Sequence, residues 1–136
     1  MKSSNGIESA IVPIRRQNVM LDADLARIYG VQTRALNQAV KRNKERFPDD
    51  FVFRLTASER RNVITNRDRL ATLKFSSSLP FAFTEHGAVM TAMVLNSPDA
   101  VAKSVYVVRA FVQMREQLAA NAEILRRLAD IDKSLP

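Results

Sequence analysis

The spacing of apolar residues changes several times along the chain, and each change predicts an element. Between Ile11 and Leu21, apolar Ile11, Val12 and Ile14 give way to polar Arg16-Gln17-Asn18 and then to Val19, Met20 and Leu21. That is the pattern of a short hairpin, with Pro13 favouring an edge position. Asp22 reads as the N-cap of a helix over 23–29, and Gly30 as its C′ stop. A second helix is expected over 33–43, ended by Phe47-Pro48-Asp49-Asp50. Phe51, Phe53 and Leu55 alternate with Val52 and Arg54 in the period of a half-buried strand. Thr56 and Glu59 then have the spacing of a capping box at the start of a further helix. Residues 80–83 form another strand candidate, and Thr84-Glu85-His86-Gly87 opens a helix through Leu95 that is apolar on most of its surface and therefore expected to be buried. Residues 1–9 are mostly polar and small and are expected to fray.

Ser97 and Pro98 supply an N-cap and a first helical residue. No glycine or proline follows until Pro136, so a helix of about thirty residues is expected. Its first half is expected to pack on the domain through Val101, Val105, Val108 and Val112. Its second half carries Phe111, Met114, Leu118, Leu125 and Leu128, with Asn121 at the heptad position that lacks an apolar residue. This series reads either as a coiled-coil seam for a homodimer, in which Asn121 sets the register, or as an amphipathic helix lying on its own domain. The fold class expected is α+β: a small helix-turn-helix-containing domain with short strands and a long C-terminal helix. The organisation expected is a flexible stretch over 1–10, a domain over 11–116 and a helical extension over 117–136.

At 136 residues the chain suits one core rather than two. Apolar residues are 46% and charged residues 26%, near the values of folded globular proteins. The absence of cysteine excludes disulfides, zinc ribbons and thiol catalysis, and a cytoplasmic setting fits best. No window is apolar enough to span a bilayer, so no membrane partner is expected. His86 is the single histidine and there are three separated glycines, which leaves no set of metal ligands and no glycine-rich phosphate loop. A nucleophile elbow is also missing. Glu85-His86-Gly87 reads more simply as a helix start, so neither catalysis, a cofactor nor a small-molecule substrate is expected.

Charge sharpens the picture. The net charge is +7, and the excess lies between Arg15 and Phe75, where fourteen Lys/Arg stand against seven Asp/Glu. Two clusters hold most of it: Arg34, Lys41, Arg42, Lys44 and Arg46, then Arg60, Arg61, Arg67, Arg69 and Lys74. Such clusters suit a polyanion, although solvated faces can look the same. The first cluster coincides with a helix-turn-helix pattern: apolar Leu25 and Tyr29, small Ala26 at the helix crossing, Gly30 in the turn, and Val31, Leu36 and Ala39 facing inward. If the second helix enters a major groove, Thr33, Arg34, Asn37 and Gln38 are candidates for reading bases, because arginine pairs bidentately with guanine and Asn or Gln with adenine. Lys41, Arg42, Lys44 and Arg46 lie further along and suit phosphates. The second cluster reads equally as a wing on the DNA backbone or as a surface loop. Double-stranded DNA is the partner expected, with an acidic protein surface as the alternative.

The runs from Val19 to Val31, from Leu36 to Phe51 and at Leu55-Thr56 resemble the KilA-N superfamily, specifically its branch named for the N-terminal domain of a phage open-reading-frame-six product. The stretches Leu79 to Gly87 and Val107 to Phe111 match the same pattern, so the resemblance covers roughly Ile11 to Glu116. It implies a DNA-binding domain of phage and bacterial regulatory proteins, often followed by a variable C-terminal part. The chain departs from that pattern at Thr72 to Ser78, which stand where phage relatives commonly carry a Trp-Gly-Gly loop.

Overall fold

The computed structural model describes residues 6–66 and 78–134. A hairpin of β1 (Ile11–Ile14) and β2 (Gln17–Leu21) leads into α1 (Asp22–Tyr29) and α2 (Thr33–Arg42). Next come β3 (Val52–Arg54), α3 (Ala57–Asn66), β4 (Phe81–Phe83), α4 (Glu85–Leu95) and α5 (Pro98–Ser134). The strands form one antiparallel sheet in the order β1-β2-β4-β3, and the α+β class follows.

Side chains alternate across a strand, and the register uses both faces. Pairing of Ile11 with Met20, Met20 with Phe83 and Phe83 with Val52 sets these four on one face. There they meet Leu25, Tyr29 and Leu36 from α1 and α2, Ala88 and Ala92 from α4, and Val107 and Phe111 from α5. The opposite face carries Val12, Val19, Leu21 and Ala82, covered by Leu55 and by Val63 of α3. Pro13 sits exposed on the edge strand, as its missing N–H requires.

The hairpin turns at Arg15-Arg16, one residue earlier than the polar run 16–18 suggests, so Gln17 and Asn18 belong to β2. A two-residue turn matches strand twist only with positive φ at both central positions, which normally selects Asn-Gly. Here two arginines adopt φ of 55° and 64°. Contacts made across the sheet edge hold the strained turn. Arg15 donates to Glu59 from Nε at 2.7 Å and from Nη2 at 2.9 Å, and its guanidinium lies 4.2 Å from the Phe53 ring centroid. Glu59 completes the capping box: its carboxylate accepts from the Thr56 N–H at 2.8 Å, while Thr56 Oγ1 accepts from the Glu59 N–H at 3.1 Å. The hydrogen bond from Arg15 holds the Glu59 carboxyl below its ordinary range, against a smaller opposing effect of desolvation.

A second junction ties the loop before β3 to the start of α4. Thr84 caps α4 by accepting from the Gly87 N–H, and its own hydroxyl donates to the Asp50 carbonyl at 2.9 Å. The Phe51 carbonyl accepts from the Thr84 N–H at 3.0 Å. This brings the Phe51 backbone so close that a Cβ on Gly87 would stand 2.0 Å from its carbonyl oxygen. Nearby, the buried Tyr29 hydroxyl donates to the Ala88 carbonyl at 2.8 Å, and burial pushes its phenol upward.

Two expectations need correction. Ile7–Ala10 form a turn of 3-10 helix, with Ala10 buried in the core, so the chain is anchored before Ile11. In α5 the packed stripe is Ala100, Val107, Ala110 and Phe111, whereas of the four valines expected there Val101 and Val105 are 50% and 48% exposed and Val108 and Val112 half-buried. Both stripes have helical spacing. The first wins because Ala100 and Ala110 permit close approach while Phe111 adds a large apolar side chain to the core that α5 shares with α1 and α4. Phe111, also expected in the dimer seam, is therefore a core residue, 2% exposed, and Met114 packs partly against the same core.

Two outcomes test these junctions. Glu59→Gln should lower the melting temperature at pH 7. The deficit should begin to shrink as pH falls below the ordinary carboxyl value of 4.5 and vanish only below the lowered folded value, because a depressed folded pKa stabilises only while the carboxylate is ionised. Gly87→Ala should cost about 3 kcal/mol in urea unfolding, since the Phe51 backbone cannot yield as a side chain would.

Candidate nucleic-acid interface

Gly30 has φ of 74° and ends α1 in the left-handed cap conformation, its N–H and that of Val31 returning to α1 carbonyls. The three-residue link Gly30 to Gln32 then starts α2, as the sequence pattern requires. Leu36 and Ala39 of α2 are buried and Val40 partly so. At 100° per residue, the opposite side of the helix then carries Arg34, Gln38, Lys41 and Arg42, all exposed. No acidic residue occurs between Thr33 and Arg42, so this surface is uniformly cationic and amide. Lys44, Glu45 and Arg46 continue it in an exposed 3-10 turn.

Asp22, expected as an N-cap, is instead the first residue of α1, with Leu21 in the capping position. Its carboxylate is 6% exposed and accepts three hydrogen bonds: from the Ala23 N–H at 2.8 Å, the Asn37 side-chain amide at 3.0 Å and the Phe81 N–H at 3.3 Å. One carboxylate thus joins α1, α2 and β4. Asn37 is half-buried and its Nδ2 engaged, whereas its neighbours Arg34 and Gln38 are exposed. Thr33 is half-buried at the helix start.

Between α2 and the β3–β4 side of the sheet lies an open groove of about 1070 Å³. Its lining includes the apolar Val52, Leu79 and Phe81 and the cationic Arg34, Lys41, Lys44 and Arg54. Thr33, Asn37 and Gln38 line it as well, so six expected site residues share one concavity. Arg42 and Arg46 are exposed outside it. Arg54 was not singled out from the sequence. It stacks 4.8 Å from the Phe81 ring centroid, and the strand alternation that pairs its face with Val52 carried the signal.

Of the second basic cluster, Arg60 and Arg61 do not join this surface. Through Val63, α3 packs on the sheet face carrying Val12, Val19 and Leu21, whereas the groove opens on the side of Val52 and Phe83. Arg61 is exposed on α3 and Arg60 half-buried. Arg67, Arg69 and Lys74 lie outside the described residues, as does most of the stretch Thr72 to Ser78. Of the seam residues, Leu118, Leu125 and Leu128 are half or more exposed, and Asn121 is exposed. Among the described residues no group of His, Asp or Glu could hold a metal ion, and no helix is long and apolar enough to cross a membrane.

No curated protein and no solved structure matches the chain. Residues 9–94, from just before β1 to the end of α4, match the ORF6N domain. That span includes the Asp22 junction, all of α2 and the Thr84–Gly87 contact with Phe51, and it stops short of α5. The chain belongs to the ORF6N domain family.

Proposed function

We propose that this chain is a sequence-reading, double-stranded DNA-binding domain of a phage-type regulatory protein, non-enzymatic, with α2 lying in the major groove. The observation that carries the reading is the undivided surface of Arg34, Gln38, Lys41 and Arg42 on a helix without acidic residues. Arg34 and Gln38, near the N-terminal half of the helix, reach base edges with Thr33 beside them. Lys41, Arg42, Lys44 and Arg46 meet phosphates, and Arg54 adds a cation from across the groove. Asn37 contributes mainly by fixing α2 to Asp22. Arg60 and Arg61, on the other side of the sheet, stand outside this contact surface. The second half of α5, with Leu118, Asn121, Leu125 and Leu128 outside the domain, joins two copies into a homodimer on a two-fold site.

The apolar lining of the groove favours one other occupant, an acidic amphipathic segment of a protein. Titration with random duplex DNA separates the two readings. A DNA-binding domain making six or more phosphate contacts loses on the order of a thousandfold in affinity between 50 and 200 mM salt, and a protein-only module has no DNA affinity to lose. Arg34→Ala with Gln38→Ala should abolish preference among duplex sequences while leaving non-specific binding. Lys41→Ala should weaken all sequences alike and reduce the log-log salt slope by about one.

A further inference from the structure

We infer that Phe81 is a positioning residue, whose ring holds the Arg54 guanidinium as a second DNA contact, a phosphate grip set in a fixed relation to α2. The inference rests on the DNA reading above. Arg54 of β3 and Phe81 of β4 are direct cross-strand partners, so their side chains leave the sheet on the same face. It is the face shared by Val52 and Phe83, and both residues line the groove together with Arg34, Lys41 and Lys44. Arg54 is exposed, and its guanidinium carbon stands over the half-buried Phe81 ring, 4.8 Å from the centroid.

A second arginine lies over a ring on the opposite face of the sheet. There Arg15 stands 4.2 Å from the Phe53 centroid, but its Nε and Nη2 are taken by the Glu59 carboxylate. Among the described residues no carboxylate pairs with the Arg54 guanidinium. Its N–H donors therefore stay available to a phosphate, which arginine can grip bidentately. Phe81 is fixed in turn. Its N–H donates to Asp22 Oδ2 at 3.3 Å, and the same oxygen accepts from the Asn37 amide of α2 at 3.0 Å. One oxygen atom thus links α2 to the residue that carries the ring. The Arg54 backbone is held as well, its carbonyl accepting from Arg15 Nη2 at 3.3 Å. A cation placed in this way gives up little freedom on binding. A lysine at the same position would keep the charge and lose both the planar stack and the fork.

Affinity for random duplex DNA and its salt dependence, measured on full-length variants checked for native circular dichroism, test the pair. Arg54→Ala should weaken binding about tenfold and reduce the log-log salt slope by about one. Arg54→Lys should keep the slope and still lose several-fold in affinity. Phe81→Leu should weaken binding in the unmodified background and have no further effect beside Arg54→Ala, while Phe81→Tyr, which keeps a ring, should bind as the unmodified chain does. An equal loss from Phe81→Leu with and without Arg54 would make the ring merely structural and overturn the inference. An Arg54→Lys variant as tight as the unmodified chain would overturn it too, and that variant leaves the ring untouched. Unchanged affinity and slope in Arg54→Ala would remove the contact, with the DNA reading still standing on Lys41→Ala. An unmodified chain without salt-dependent duplex affinity would overturn that reading and this inference with it.

Discussion

The geometry of the cationic helix depends on one buried carboxylate. Asp22 closes β2, opens α1, holds the Asn37 amide of α2 and receives the Phe81 N–H of β4. A buried acceptor satisfied three times over is inexpensive to bury, while the donors it holds would each be left short by about 1–3 kcal/mol without it. The sheet and the helix pair thus have a fixed relation before any ligand arrives. Pre-organisation of this kind matters for recognition, because a helix that must be ordered on binding spends affinity on ordering.

Much of the domain was legible because local chemistry and tertiary demand agree. Gly30 stops α1 in the conformation its position implies, Thr56 and Glu59 form their box, Thr84 and Ser97 cap the helices they precede, and Val52 to Arg54 form a strand. The misreadings come from competition between equivalent patterns. In α5, two stripes share the helical period, and only packing against the rest of the core selects Phe111 over Val101 and Val105. The turn at Arg15-Arg16 was hidden because arginine is a poor residue for positive φ. Its stabiliser, Glu59, is 44 residues away in the chain. Asn37 looked like a base reader for a similar reason: its partner lies fifteen residues back, across a helix crossing.

The charge map shows the same limit. Along the sequence the two basic clusters form one positive half, yet the sheet separates Arg60 and Arg61 of the second cluster from α2. What the fold assembles instead is a groove that recruits Arg54 to the cations of α2. Glu59 does not offset the positive field of this groove, because it belongs to α3 on the other face of the sheet and pairs with Arg15. Among the described residues, the acidic side chains that stand near this helix are Glu45 in the turn that follows it, Asp49, and Asp22, which is engaged with Asn37.

The central claim is that duplex DNA docks on the outer surface of α2. Backbone amide chemical shifts of the labelled protein, followed during titration with a short duplex at low salt, test it most directly. The account predicts perturbations concentrated over residues 33–46 and at Arg54, with α3 little changed. Perturbations confined to α3, or none anywhere, would contradict it.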